Sequence, residues 1–153
     1  MAFDKWDDRF MQMAHLIANW TSCNVPNRKI GCVIVKDKRI MTTGYNGAPA
    51  GMRTCRDRQE CLRDRLGIAS GTRMEICYAV HAEQNAIIQA AKLGVSIDGA
   101  TLYCTHQPCS LCAKMIINAG IKRVIFQEGY PDSFTLEIFE EAGVALEQYR
   151  PEA

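Results

Sequence analysis

Large apolar residues recur at three- and four-residue steps at the start of the chain: Phe3, Trp6, Phe10, Met13, Ile17 and Trp20. That spacing predicts an amphipathic helix with one face against a core. Asp4 suits its N-cap and Asp7 its positive first turn. The pattern then shortens. Ile30 to Val35 is a β-branched run, Lys36-Asp37-Lys38-Arg39 is a polar turn, and Ile40 to Tyr45 resumes extended character, which together predict a β-hairpin. The glycines of Gly44-Tyr45-Asn46-Gly47-Ala48-Pro49-Ala50-Gly51 mark either a plain turn or a place where backbone comes close to a ligand.

Residues 52–78 show little periodicity beyond a short helix predicted around Gln59 to Leu66. A connection of that length inside a compact domain is functional or tied down by something. Past it, Ala82 to Leu93 predicts a helix stopped by Gly94, Ala100 to Thr105 a strand, and Cys109 to Ala119 a helix closed by Gly120. Arg123 to Gln127 reads as a strand, Ser133 to Ala142 as a helix capped by Ser133 and ended by Gly143, and Val144 to Tyr149 as a last strand. Alternating strands and helices imply an α/β sandwich around a largely parallel sheet. With no repeat or linker in between, residues 1–153 are expected to form a single domain carrying a cysteine-containing insertion at about 52–78.

Composition narrows the function. The chain is 48% hydrophobic and 23% charged, as ordinary globular proteins are. No run approaches the ~18 apolar residues of a membrane span, and the N-terminus lacks a signal-peptide core, so a cytoplasmic protein is expected. Eighteen basic residues against seventeen acidic ones give a net charge of +1, which leaves no electrostatic footprint for a long nucleic acid and favours a small substrate. Eight cysteines in a reducing compartment argue for metal binding ahead of disulfides.

The chemistry concentrates in His81-Ala82-Glu83 and Pro108-Cys109-Ser110-Leu111-Cys112. A histidine nitrogen and two thiolates make three protein ligands, the set of a catalytic zinc that keeps its fourth position open. Both segments open predicted helices, whose positive ends favour Cys109 and Cys112 as thiolates. Glu83, close to the metal without ligating it, is placed as the proton carrier for hydrolysis of an amine from an sp2 carbon. Alone, a Cys-x-x-Cys also fits a structural zinc knuckle or a redox pair, and a lone histidine also fits a packed core.

Together, His-x-Glu and Pro-Cys-x-x-Cys form the signature of the zinc nucleobase deaminases. The likeness extends to Ile30–Val35, Gly44–Gly51, His81–Ile87, Gly99–Tyr103 and Lys114–Val124, which resemble the deoxycytidylate (dCMP) deaminases, especially the bacterial late-competence-operon type. That resemblance implies a three-layer α/β/α sandwich with a mixed five-stranded sheet, zinc on His81, Cys109 and Cys112, and hydrolysis of dCMP to dUMP and ammonia with Glu83 moving the proton. It implies Asn46 on the sugar, Ala82 among the substrate contacts, a homohexamer, and dCTP activation with dTTP inhibition around Tyr45, Gly47 and Lys92. Arg28 and Tyr130 are the candidates for the substrate phosphate. Cys23 and Cys55 resemble two ligands of a second zinc in some relatives, and Cys61 and Cys77 are candidates to complete a closed structural site. Cys32 and Cys104 are expected to be small core hydrophobes. The alternatives are another zinc deaminase, acting on cytidine, a riboflavin precursor or tRNA adenosine, and a non-catalytic zinc module. The balanced charge disfavours RNA, and Glu83 has no use in a purely structural site.

Overall fold

The computed structural model describes residues 3–152. Helix α1 runs from Lys5 to Ala18 and is held at its start by a capping box between Asp4 and Asp7. Its buried face is Phe10, Met11, Ala14, Ile17 and Ala18. Trp20 lies beyond the helix and is exposed, so the apolar stripe expected from the sequence turns slightly, toward Met11 and Ala14.

The hairpin follows as β1 (Gly31–Lys36) and β2 (Arg39–Tyr45). Asp37 and Lys38 between them both take positive φ, the geometry of the two-residue turns that match strand twist. The insertion holds two short helices, α2 (Cys55–Arg58) and α3 (Leu62–Arg65), where the sequence predicted one. Then come α4 (Ala82–Leu93), β3 (Thr101–His106), α5 (Ser110–Asn118), β4 (Arg123–Glu128), α6 (Ser133–Ala142) and β5 (Ala145–Gln148). The N-cap of α6 is Asp132, whose carboxylate accepts the Thr135 N–H at 2.7 Å. Ser133, expected to be the cap, is instead the first helical residue, because the carboxylate one position earlier already serves that N–H.

Sheet order is β2-β1-β3-β4-β5. β1 pairs antiparallel with both β2 and β3, while β3/β4 and β4/β5 are parallel. The sheet is therefore mixed, as the family resemblance implied, rather than largely parallel. Side chains alternate across it. Cys32, Ile34, Leu102, Cys104 and Val124 face the layer of α4, α5 and α6. Val33, Val35, Tyr103 and Ile125 face α1. The result is a three-layer α/β/α sandwich.

Two glycines set the distances between layers. A Cβ on Gly31 would lie 2.3 Å from the Ala14 carbonyl oxygen of α1, and one on Gly44 would lie 2.1 Å from that of Ala82. The second contact seats the first turn of α4 against β2. Below α1, the buried Asp7 accepts from Arg123 Nη1 at 2.9 Å and from the Tyr103 hydroxyl at 2.7 Å, and Arg123 also pairs with Glu147. This cross-layer network ties α1 to β3, β4 and β5.

Candidate active site

His81 is the N-cap of α4 and Cys109 the N-cap of α5. Gln84 Oε1 accepts the His81 N–H at 2.9 Å, and an isolated bridge between Val80 and Gly47 holds the approach to α4. His81 Nδ1 lies 3.2 Å from Cys112 Sγ and 3.6 Å from Cys109 Sγ. All three ligand atoms fall within 4.8 Å of one another, and among the described residues they form the group of three or more such side chains that could hold a metal ion.

The electrostatics fit a divalent cation. Cys109 accepts from the Cys112 thiol and from the Cys112 N–H, and the first of these bonds does most to hold its pKa down to about 4 despite burial. Cys112 moves up, because it shares its proton with Cys109 and is buried beside Glu83. One thiolate therefore forms readily, while the second meets the first charge at close range. A bound cation removes that opposition, as the donor set of a histidine and two thiolates requires. His81 moves up through its bond to Cys109, against burial and the nearby Arg63 charge.

Glu83 is 4% exposed. Burial raises its pKa, with His81 opposing, which makes the carboxylate a stronger proton acceptor. Cys104 Sγ lies 3.5 Å from Glu83 Oε1, and Cys32 Sγ lies 3.3 Å from the Ala82 carbonyl oxygen. Both strand cysteines are fully buried in the core, as expected, and each also touches a polar group of the first turn of α4.

These groups open into a cavity of about 370 Å³ that His81, Glu83 and Cys109 line on one side. Arg28, Asn46 and Tyr130 line it too. Asn46 is fixed by its amide, accepting the Ile30 N–H at 3.0 Å and donating to the Arg28 carbonyl at 2.7 Å. Arg28 reaches Asp64 at 3.9 Å, and Tyr130 is exposed at the mouth. Ala82 is fully buried and is not among the lining residues. Tyr45, Gly47 and Lys92 also lie outside it. A larger cleft of about 550 Å³ lies between the start of α1 and the C-terminal segment. Among the described residues it holds no metal-ligating cluster, and its Asp4 is committed to capping α1.

Cys23, Cys55, Cys61 and Cys77 all face the same cavity. Burial, then the neighbouring thiols of Cys77, Cys23 and Cys61, raise the pKa of Cys55. The four surround one space, yet no three of their sulfurs come within 4.8 Å of one another. Among the lining residues that the sequence did not single out are two with ionisable side chains near the metal ligands, His106 and Arg63. His106 donates to or accepts from Thr105 Oγ1 at 2.9 Å, and burial lowers its pKa. Arg63 is 5% exposed in the cavity wall. It is one of five arginines between Arg53 and Arg65, and only the folded insertion distinguishes it from the others.

Comparison with known proteins agrees with this geometry. The cytidine and deoxycytidylate deaminase zinc-binding region matches residues 4–128. ComE operon protein 2 of Bacillus subtilis is 43% identical over 144 residues, covering 94% of the chain and 70% of that protein. Deoxycytidylate deaminase of Schizosaccharomyces pombe is 39% identical over 147 residues, and the chain spans 44% of its length. A crystal structure of dCMP deaminase from cyanophage S-TIM5 in complex with dCMP and dUMP superposes with a TM-score of 0.78 at 31% identity, covering 97% of this chain and 100% of that one. Similar in sequence through the metal-binding segments and in fold along nearly its whole length, the chain belongs to the cytidine and deoxycytidylate deaminase family.

Proposed function

We propose that this protein hydrolyses dCMP to dUMP and ammonia, with zinc on His81, Cys109 and Cys112. The observation that carries the reading is a single cavity lined by a catalytic-type ligand set, a buried carboxyl, and cationic and hydroxyl side chains suited to a phosphate. The relatives named as deoxycytidylate deaminases and the dCMP-bound cyanophage structure support it.

Zinc bound there supplies Lewis acidity that brings the pKa of water from ~15.7 to about 7. Glu83 takes one proton from the attacking water and delivers it to ring N3, then takes the second from the new C4 hydroxyl and delivers it to the amine as the C4–N bond breaks. Its burial excludes bulk water from that exchange. Cys109 and Cys112 stay thiolates at the positive end of α5. Asn46, locked by backbone bonds, orients the sugar. Arg28 and Tyr130 receive the phosphate, and Ala82 offers backbone polar groups at the start of α4.

The finer features form part of the same reading. Cys23, Cys55, Cys61 and Cys77 close around a second, structural zinc, drawing in from their present loose ring. dCTP activates and dTTP inhibits at Tyr45, Gly47 and Lys92. Asn85 supports a route for this, since its amide on α4 donates to the Tyr45 carbonyl at 2.8 Å and so links that loop to the helix that begins at His81. Exposed Ile88, Leu93, Leu111 and Met115 on the outer helices support a homohexamer. Residues 1–153 act as one domain, with 52–78 as its insertion. Among the described residues no helix is long and apolar enough to cross a membrane, and eight free thiols suit a reducing, cytoplasmic setting.

Ultraviolet monitoring of purified protein with dCMP, CMP, deoxycytidine and cytosine tests the reading. Conversion of dCMP ahead of the others is expected. Preference for deoxycytidine over dCMP would sink the phosphate assignment, and inactivity on all four would sink the reaction.

A further inference from the structure

The insertion buries a cation that none of its own carboxylates neutralises. Arg63 is 5% exposed. Its hydrogen bonds to protein both come from Nη2, which donates to the Ala69 carbonyl at 3.1 Å and to that of Thr72 at 2.7 Å. Nε is buried without a partner. Among the described residues no carboxylate lies within ion-pair distance of it. Its neighbour Asp64 turns the other way, toward Arg28.

A guanidinium stays charged at any ordinary pH. Burying it without a counter-charge is costly, so a fold that keeps one in a cavity wall has an anion to set against it. The cavity is the substrate cavity: Arg63 lines it together with His81, Glu83, Arg28 and Tyr130. The two carbonyl bonds anchor one nitrogen and restrict the guanidinium plane, which lowers the side-chain entropy lost when an oxyanion is met by two parallel N–H groups.

On the reading that the substrate is dCMP, we propose that Arg63 binds its 5′-phosphate and sets the preference for the nucleotide over the nucleoside. Arg28 then acts at the mouth as an exposed, Asp64-tethered helper, and Arg63 as the desolvated contact. Charge-assisted bonds in a dry wall are the stronger ones. The contact is made equally in ground state and transition state, because the phosphate is remote from the reacting carbon, so its loss belongs in KM.

Arg63→Gln is the test, measured with dCMP as substrate and inorganic phosphate as competitive inhibitor. The expected result is a KM raised roughly 10- to 100-fold with kcat retained, and loss of inhibition by phosphate. Arg63→Lys, which keeps the charge and a donor for the Ala69 and Thr72 carbonyls, should recover part of the KM. A fall in kcat with KM unchanged would overturn the proposal in favour of an electrostatic role toward His81 and Glu83. A lower melting temperature and equal losses in both parameters for both variants would overturn it in favour of a scaffold role. Wild-type protein that ignores dCMP would instead refute the substrate reading on which the proposal stands.

Discussion

The thiol of Cys104 lies 3.5 Å from Oε1 of Glu83, which makes a β3 side chain the floor of the carboxyl proposed to move the proton. The strand alternation explains the meeting. Cys104 and its antiparallel partner Cys32 both face the α4 layer. Cys104→Ser keeps a donor there and should retain kcat, whereas Cys104→Ala should lower it about fivefold, the worth of one hydrogen bond of about 1 kcal/mol. Steady-state kinetics on both variants checks this, and equal kcat values would remove Cys104 from any part in holding Glu83.

Glu83 and Cys112 should separate chemistry from metal binding. Glu83→Gln is expected to keep its zinc and lose about 10²- to 10⁴-fold in kcat, the usual worth of a placed acid–base group. Cys112→Ser should lose the zinc itself. Elemental analysis beside an activity assay distinguishes them, and a zinc-free Glu83→Gln protein would make Glu83 a ligand instead.

The second zinc is decided by counting. Wild-type protein should carry two zinc ions per chain, and Cys55→Ser one, with a lower melting temperature, because a closed structural site contributes folding energy directly. One zinc in the wild type, with full activity, would leave Cys23, Cys55, Cys61 and Cys77 as reduced thiols around a common space.

Asp7 should couple stability to acid. Burial alone would raise its pKa, but hydrogen bonds from Arg123 and Tyr103 and from the Asp4 N–H outweigh burial and lower it. The stabilisation is then fully present above the unfolded value of about 3.9 and is lost as pH falls through the folded value. Asp7→Asn should cost about 1–3 kcal/mol at neutral pH, and the gap to wild type should close below pH ~4. Denaturant melts across pH check it; a gap that persists unchanged in acid would show that packing, not charge, carries the effect.

Much of the fold is legible from local pattern. Asp4 and Asp7 cap α1, Gly94 and Gly143 end α4 and α6 in left-handed conformations, and a polar turn joins the first two strands. These depend on neighbours a few residues apart. Strand direction does not. The alternation of strands and helices suggested a largely parallel sheet, but β3 pairs antiparallel with β1, across an intervening span that holds α2, α3 and α4. Nor could residues 52–78 reveal that Arg63 alone of their six arginines would be buried, since burial is conferred by partners distant in the chain.

His81, Glu83, Cys109 and Cys112 mark the family because ligand chemistry depends on residue type and helix-start spacing, both written locally. The Glu83–Cys104 contact, the lock on Asn46 and the unpaired charge of Arg63 arise only when separate elements share one cavity. Desolvation, which gives each of these groups its strength, belongs to the assembled layers and to no single segment.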